Sequence, residues 1–163
     1  MKNIEIKLLS ELFKDSKRSD RELARVLGVS QPTLTRIRNR LVKNGLIREF
    51  TIIPNLVGLG FELLAISCVN VKMKPELQER ARKWVKKYPN VLFMAKAEGM
   101  GKNGLILSLH KNYTEFSRFA TEALTFWGDD IESYDTMHVS LKESIIRPLS
   151  LRYLAELQKT SED

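Results

Sequence analysis

Apolar side chains recur at helical spacing through residues 4–41 and predict three consecutive helices. The first helix ends near Asp15, and residues 14–19, which contain no apolar side chain, form a connection. Ser19 and Glu22 have the spacing of a capping box, which starts the second helix. The predicted buried faces are Ile4, Leu8, Leu9, Leu12 and Phe13 on the first helix, and Leu23, Ala24, Val26 and Leu27 on the second.

The third helix follows a glycine turn. Gly28 supplies the positive φ that the turn needs, and Ser30 can cap the next helix, with Pro32 in its first turn. Asn44 and Gly45 end this helix. Its predicted buried stripe is Leu34, Ile37 and Leu41. Two short helices joined by a glycine turn predict a helix-turn-helix.

Residues 46–53 alternate imperfectly between apolar and polar side chains and stop at Pro54, which predicts a short strand or wing. We therefore assign residues 1–54 to a winged helix-turn-helix domain. The glycine-containing segment 55–61 is the predicted linker to a second domain.

The second domain, residues 62–146, has a different periodicity. Strands are predicted at 63–73, 91–97, 105–110 and 131–141, helices at 75–88 and 113–127, and a glycine-rich turn at 98–104. The order βαββαβ predicts a ferredoxin-like sandwich with both helices on one face of an antiparallel sheet. The predicted fold class is thus α+β.

Both sides of the first strand of this sandwich are apolar, so the sheet face without helices needs a cover. A second copy of the sheet is the simplest one, which predicts a homodimer, and a higher oligomer is compatible with it. Residues 147–163 are the predicted C-terminal helix and tail, in which residues 149–159 form an amphipathic helix with Leu151, Leu154 and Leu157 on its apolar side.

Composition narrows the class of protein. No run approaches the ~18 apolar residues of a membrane span, and the N-terminus lacks the pattern of a secretion signal, so we expect a cytoplasmic protein without membrane contact. The single cysteine, Cys68, excludes an internal disulfide and a cysteine zinc site. We expect no cofactor and no metal.

The net charge of +7 is concentrated in the first third of the chain. Residues 1–60 contain twelve Lys and Arg against six Asp and Glu, whereas the remainder contains fifteen against fourteen. Because the segment 30–45 has four basic residues and no acid, it repels itself unless an anion is near. Double-stranded DNA is the predicted partner.

In the third helix, the residues predicted to contact base edges are Gln31, Thr33, Thr35 and Arg36. Phosphate contacts are predicted for Arg40, Lys43 and Arg48, and backbone anchoring for Ser19 and Arg21. The full set of candidate DNA-binding residues is Ser19, Arg21, Ser30, Gln31, Pro32, Thr33, Thr35, Arg36, Arg38, Asn39, Arg40, Lys43 and Arg48.

Several segments resemble the Lrp/AsnC regulators. SDRELA at 19–24, LGVS at 27–30, RL at 40–41 and NGLI at 44–47 are similar to their DNA-binding half, and NLVGLGF at 55–61 is similar to their linker. The resemblance implies dimers or higher assemblies on palindromic sites, often responding to amino acids.

The resemblance also implies an effector site at the predicted turn, with the candidates Gly99, Met100, Gly101, Lys102, Asn103 and Gly104. The chain departs from the family here, because the family's Gly-x-x-Asp ends in Gly104 instead of a carboxylate. A second departure is Ile37 followed by Arg38, where members have Arg and then an aliphatic residue.

Two other functions fit the same layout. One is a tetrapyrrole decarboxylase, which would use His and Arg side chains on the porphyrin carboxylates, but His110 and His138 have no acid or nucleophile near them in the sequence. The other is a ligand-sensing module that no longer binds DNA.

Overall fold

The computed structural model describes residues 3–143 and 145–157, with only the backbone of Leu157. These residues form two compact units. The first comprises the described residues of Met1–Ile53 and Arg147–Asp163, and the second is Pro54–Ile146 without Ser144. Residues 158–163 of the predicted C-terminal helix lie outside the described part. Within it, no helix has the length and apolar character needed to cross a membrane.

The first unit is the predicted helix-turn-helix. It contains α1 (Asn3–Lys14), α2 (Asp20–Leu27) and α3 (Gln31–Lys43). Ser19 and Glu22 form the expected capping box, Gly28 has φ 65°, and the Ser30 side chain caps α3. The shared core is Leu8, Leu9, Leu12, Leu23, Ala24, Leu34, Ile37 and Leu41. The predicted inward position of Val26 is wrong, since this side chain is exposed.

The wing is not a strand in this structure. Residues 46–55 have no strand pairing, and Phe50, Ile52 and Ile53 are exposed. Of the two predicted alternatives, a short strand or a wing, the strand is therefore wrong for the described chain, because a strand needs a hydrogen-bonding neighbour and none lies alongside. The expected linker begins with a turn in which the Asn55 side chain accepts a hydrogen bond from the Gly58 amide.

The C-terminal segment belongs to the first unit. A 3₁₀ turn at Leu151–Tyr153 leads into α6 (Leu154–Leu157), and both contact α1. The predicted apolar stripe is wrong in detail: Leu151 and Leu154 are exposed, and Ala155 is the buried residue. A small side chain lets the short helix approach α1 closely.

The second unit confirms the βαββαβ order. Its elements are β1 (Leu63–Val71), α4 (Leu77–Val85), β2 (Val91–Gly99), β3 (Lys102–His110), α5 (Tyr113–Trp127) and β4 (Ile131–Ser140). The strands are antiparallel in the order β2-β3-β1-β4. The core between helices and sheet centres on Ala65, Trp84, Phe116, Phe119 and Trp127.

An ion cluster around the buried Asp130 joins two loops and a helix of this sandwich. Asp130, in the 3₁₀ turn before β4, pairs with Lys74 at 2.5 Å and with Arg80 of α4. The guanidinium of Arg80 also lies over the Trp127 ring, 5.1 Å from its centroid. The two cations hold the pKa of the Asp130 carboxyl below its usual value. This end of the sandwich is thus closed by charge as well as by packing.

The predicted long turn at 98–104 is a tight hairpin instead. Gly99 pairs with Lys102, so only Met100 and Gly101 connect β2 to β3. Both have positive φ, 51° and 67°, as in a type I′ turn. Met100 is the only non-glycine residue with positive φ among the described residues, and this conformation is strained for a side chain with a Cβ.

We predict that Met100→Asn stabilises the second unit by about 1 kcal/mol, because asparagine tolerates positive φ at this turn position. Gly101→Ala should have the opposite effect and a similar size, since its φ is also positive and no side chain contacts compensate. Both tryptophans, Trp84 and Trp127, lie in this unit, so the denaturant midpoint of tryptophan fluorescence measures it directly. An unchanged or lowered midpoint for Met100→Asn would contradict the prediction.

Candidate nucleic-acid interface

The exposed surface of α3 is a narrow polar stripe. Its buried stripe faces the core, and the opposite side presents Pro32, Arg36, Asn39 and Lys43, one turn apart and all exposed. Gln31 is exposed at the start of the helix, where a recognition helix contacts bases. No acid lies on this stripe. We call Gln31, Pro32, Arg36, Asn39 and Lys43 the outer stripe.

The two flanks of α3 contact the other helices through ion pairs. On one flank, Nη2 of Arg38 lies 2.9 Å from Oδ1 of Asp20 and 3.4 Å from the Arg18 carbonyl oxygen. On the other flank, Nη2 of Arg40 lies 2.7 Å from Oε1 of Glu5, with its Nε at 2.9 Å. The expectation that the basic residues of α3 repel one another without an external anion is therefore wrong for this pair.

Thr35 shares the Asp20 flank. Its hydroxyl lies 2.6 Å from Oδ2 of Asp20 and 3.1 Å from the Gln31 carbonyl oxygen. Asp20, the first residue of α2, thus contacts two successive turns of α3, through a hydrogen bond from Thr35 and an ion pair with Arg38. This contact joins the two helices at one end and positions the outer stripe relative to α2.

The remaining candidates lie at the helix starts. Ser19 and Ser30 are exposed, but both hydroxyls are used in caps, with Ser30 donating to Oγ1 of Thr33 at 2.9 Å. Arg21 is exposed on α2, and Arg48 is exposed in the segment after α3. Free backbone N–H groups at the start of a helix also favour a phosphate.

Two residues of this surface are not among the candidates predicted from the sequence. Arg25 is exposed one turn after Arg21 on α2, and their spacing of four residues indicates the shared face. Asp20 has no local signal for its role, because its partners Thr35 and Arg38 lie in another helix.

The candidate effector residues of the β2–β3 hairpin differ in their exposure and in their contacts. Met100 is 87% exposed at the tip. Nζ of Lys102 lies 2.6 Å from Oδ2 of Asp135 and 2.7 Å from Oγ of Ser133. The Asn103 side chain binds the amide and carbonyl of Val71, at 2.9 and 2.7 Å. Effector binding by residues 99–104 stays a prediction.

Comparisons with known proteins support the helix-turn-helix assignment of the first unit. The family described as winged helix-turn-helix DNA-binding matches residues 1–48. An uncharacterised HTH-type transcriptional regulator of Pyrococcus furiosus is 34% identical over 106 residues, which are 65% of this chain and 69% of that protein. The HTH-type transcriptional regulator FL11 of the same organism is 30% identical over 118 residues, covering 72% and 76%.

Solved structures share the fold. The crystal structure of PH0061 from Pyrococcus horikoshii superposes with a TM-score of 0.78 at 23% identity, covering 92% of this chain and 97% of that one. The LrpC structure of Bacillus subtilis has a TM-score of 0.72 at 22% identity, covering 90% and 99%. The chain belongs to the Lrp/AsnC family of HTH-type transcriptional regulators. A further fold neighbour of this Lrp/AsnC regulator, NMB0573 of Neisseria meningitidis, was crystallised with L-Met, with a TM-score of 0.77 at 20% identity over 94% and 99%.

The relatives favour regulation over the decarboxylase alternative, and His110 of this Lrp/AsnC chain gives a second reason. His110 is fully buried, and its Nε2 lies 2.9 Å from Oγ of Ser108. The expectation that His110 has no Ser partner nearby is therefore wrong. Burial lowers the pKa of this imidazole below its usual value, so it is neutral at pH 7. A side chain without exposed surface cannot contact the carboxylates of a porphyrin.

We predict that Asp20→Ala destabilises the first unit by about 2 kcal/mol, because it leaves the half-buried Arg38 without its anion. Asp20→Asn should cost about half as much, since an amide oxygen can still accept from Thr35. Hydrogen exchange of the α2 and α3 amides measures the change, and tryptophan fluorescence of the second unit is the internal reference. The exposed acid variant Glu49→Ala is the control. Equal protection in Asp20→Ala and the parent would disprove the role of this contact.

Proposed function

We propose that this regulator binds double-stranded DNA as a homodimer on palindromic sites, with the outer stripe of α3 in the major groove and a small-molecule effector modulating it. The observation that carries the proposal is the division of the basic residues of α3. Arg38 and Arg40 are held by Asp20 and Glu5, whereas Arg36 and Lys43 have no acid beside them in the described residues.

Four residues of the outer stripe have a proposed role at the DNA. Arg36 can form two hydrogen bonds to guanine, and Gln31 and Asn39 can each pair with adenine. Lys43, at the far end of the helix, binds a phosphate and supplies affinity without reading sequence. Thr33 and Thr35 present methyl groups that can contact a thymine methyl.

Residues around the stripe anchor it to the DNA backbone. Arg21 and Arg25 on α2 and Arg48 after α3 are exposed cations that suit phosphates. Ser19 and Ser30 offer the backbone amides at the starts of α2 and α3. Arg38 and Arg40 act as positioning residues, because their guanidinium groups already bind carboxylates.

We expect Arg36→Ala to relax sequence preference, with a loss of about 1–3 kcal/mol on the selected site and little on random DNA. Lys43→Ala should weaken binding to every sequence and lower the salt slope by about one, as one lost phosphate contact requires. Selection of bound genomic fragments followed by fluorescence anisotropy across a salt series measures both effects. Arg118→Ala, an exposed residue on α5, is the control. The placement of α3 is overturned if Arg36→Ala and Lys43→Ala bind like the parent.

The homodimer is proposed from the sheet face opposite the helices. Leu64, Ile66 and Cys68 of β1 register beside Leu109, Leu107 and Leu105 of β3, and beside Val139 and Met137 of β4. Phe93 extends the same face on β2 through its pairing with Leu107. Phe93 and Met137 are 50% and 66% exposed in the single chain, which is a large apolar surface for water to cover. The same face of a second copy would cover this apolar surface, and the two copies would be related by two-fold symmetry.

We predict that Met137→Lys combined with Phe93→Lys converts the dimer to a monomer without unfolding it, because both side chains are exposed in one protomer and would be desolvated only between two. Sedimentation equilibrium or light scattering gives the mass, and tryptophan fluorescence reports the fold. The control is Ser117→Lys, which adds a lysine at an exposed position of α5, on the helix side of the sheet. A parent that is monomeric at all concentrations, or a double variant that stays dimeric, would refute the proposed interface.

A further inference from the structure

The second unit contains a cavity of about 320 Å³ between its helices and its sheet. It lies towards the β2–β3 hairpin end, under α4 and α5. Close-packed cores rarely contain voids much larger than a water molecule, so a space of this size needs an explanation. Ligand sites typically begin at roughly this volume.

Gly104 helps to keep the space open. It pairs with Val69 across β3 and β1, and a Cβ added here would lie 2.8 Å from Cγ2 of Val69. The missing side chain of Gly104 thus lets β3 lie against Val69 at the floor of the cavity. The turn itself is made by Met100 and Gly101. The cavity lies on the helix-covered side of the sheet and so is separate from the open face.

The walls are apolar. Side chains from both helices and all four strands contribute, among them Val69, Leu77, Ala81, Met94, Ile106, Ala123, Trp127 and Ile131. Two polar groups in the lining are already in use. The Asn103 amide binds the Val71 backbone, and the Tyr134 hydroxyl lies 3.5 Å from Oγ of Ser67. The interior therefore suits a hydrocarbon group.

The charged residues of the lining are both cations. Arg82 of α4 and Lys96 of β2 contribute to the cavity and are exposed, so they lie at its mouth. Neither forms an ion pair within the described residues, although Lys74, Arg80 and Lys102 of the same unit all do. The lining contains no Asp or Glu, so a ligand ammonium group would meet only cations there.

We propose that this cavity binds a small apolar monocarboxylate, with its hydrocarbon part between the helices and the sheet and its carboxylate at Arg82 and Lys96. The charge pattern selects an acid without an amino group, since the ammonium of an amino acid would be repelled by the two cations at the mouth. Gln78 at the mouth can donate to the same carboxylate.

The test titrates the full-length protein with octanoate, following tryptophan fluorescence and calorimetry. Trp127 lines the cavity, and its ring centroid is 6.0 Å from that of Trp84, so occupancy should change their emission. The matched probes are 1-octanol, which lacks the charge, and 2-aminooctanoate, which adds the ammonium. We expect saturable binding of octanoate with one site per chain, and at least about tenfold weaker binding of either analogue.

Arg82→Gln and Lys96→Gln should each weaken octanoate binding about tenfold, as expected for the loss of a charge-assisted hydrogen bond. Both are exposed positions, so folding should not depend on them. Ala123→Leu should abolish binding by filling the cavity, and Ala81→Leu is a second filler if the first does not fold. Arg118→Gln, an exposed change elsewhere on α5, should bind like the parent.

Four results would overturn the proposal. The first is no saturable octanoate binding, which would make the cavity a packing defect only. The second is unchanged affinity in both Arg82→Gln and Lys96→Gln, and the third is retained binding in a folded filler variant. Equal affinity for 1-octanol or 2-aminooctanoate would likewise reject the proposed ligand class. Because no DNA is present, failure here leaves the DNA-binding proposal to its own test.

Discussion

The orientation of α3 depends on one carboxylate. Asp20 begins α2, accepts a hydrogen bond from Thr35 and forms an ion pair with Arg38. The two helices of the motif are therefore joined by a charged contact as well as by their apolar core. Glu5 does the same for Arg40 from the side of α1. Two of the four cations on α3 thereby become structural. The outer stripe is what remains, and its direction is set by these two anchors.

The helices could be predicted well because their signals are local. The capping box at Ser19, the Gly28 turn and the Leu34, Ile37, Leu41 stripe all depend on residues within a few positions of one another. The wing and the tail depend on distant partners. Residues 46–53 alternate between apolar and polar side chains but pair with no other strand. In the tail, Ala155 is buried because α6 packs against α1, and the periodicity of the tail alone does not reveal this contact.

The sequence predicts which side of α3 is exposed, but it does not predict which of the cations of α3 form ion pairs. A step of about 100° per residue places Arg36, Asn39 and Lys43 opposite the buried stripe, as the structure has them. The same step says nothing about which acids lie beside Arg38 and Arg40, since those acids come from other helices. Sequence reasoning therefore overestimated the number of free cations and overlooked Asp20 as the residue that positions them.

The sheet of the second unit allows the two remaining proposals to be separated. Successive residues of a strand face opposite sides, so Cys68 lies on the open face while Val69 lines the cavity, and Leu107 and Ile106 divide in the same way. A substitution at one position leaves the chemistry of the other side largely intact. Loss of the dimer and loss of ligand binding can thus be produced independently in this chain. If a change on one face caused both losses, the two faces would be energetically coupled through the strands. In a well-packed sheet such coupling requires a shift of the strand register or of the helices.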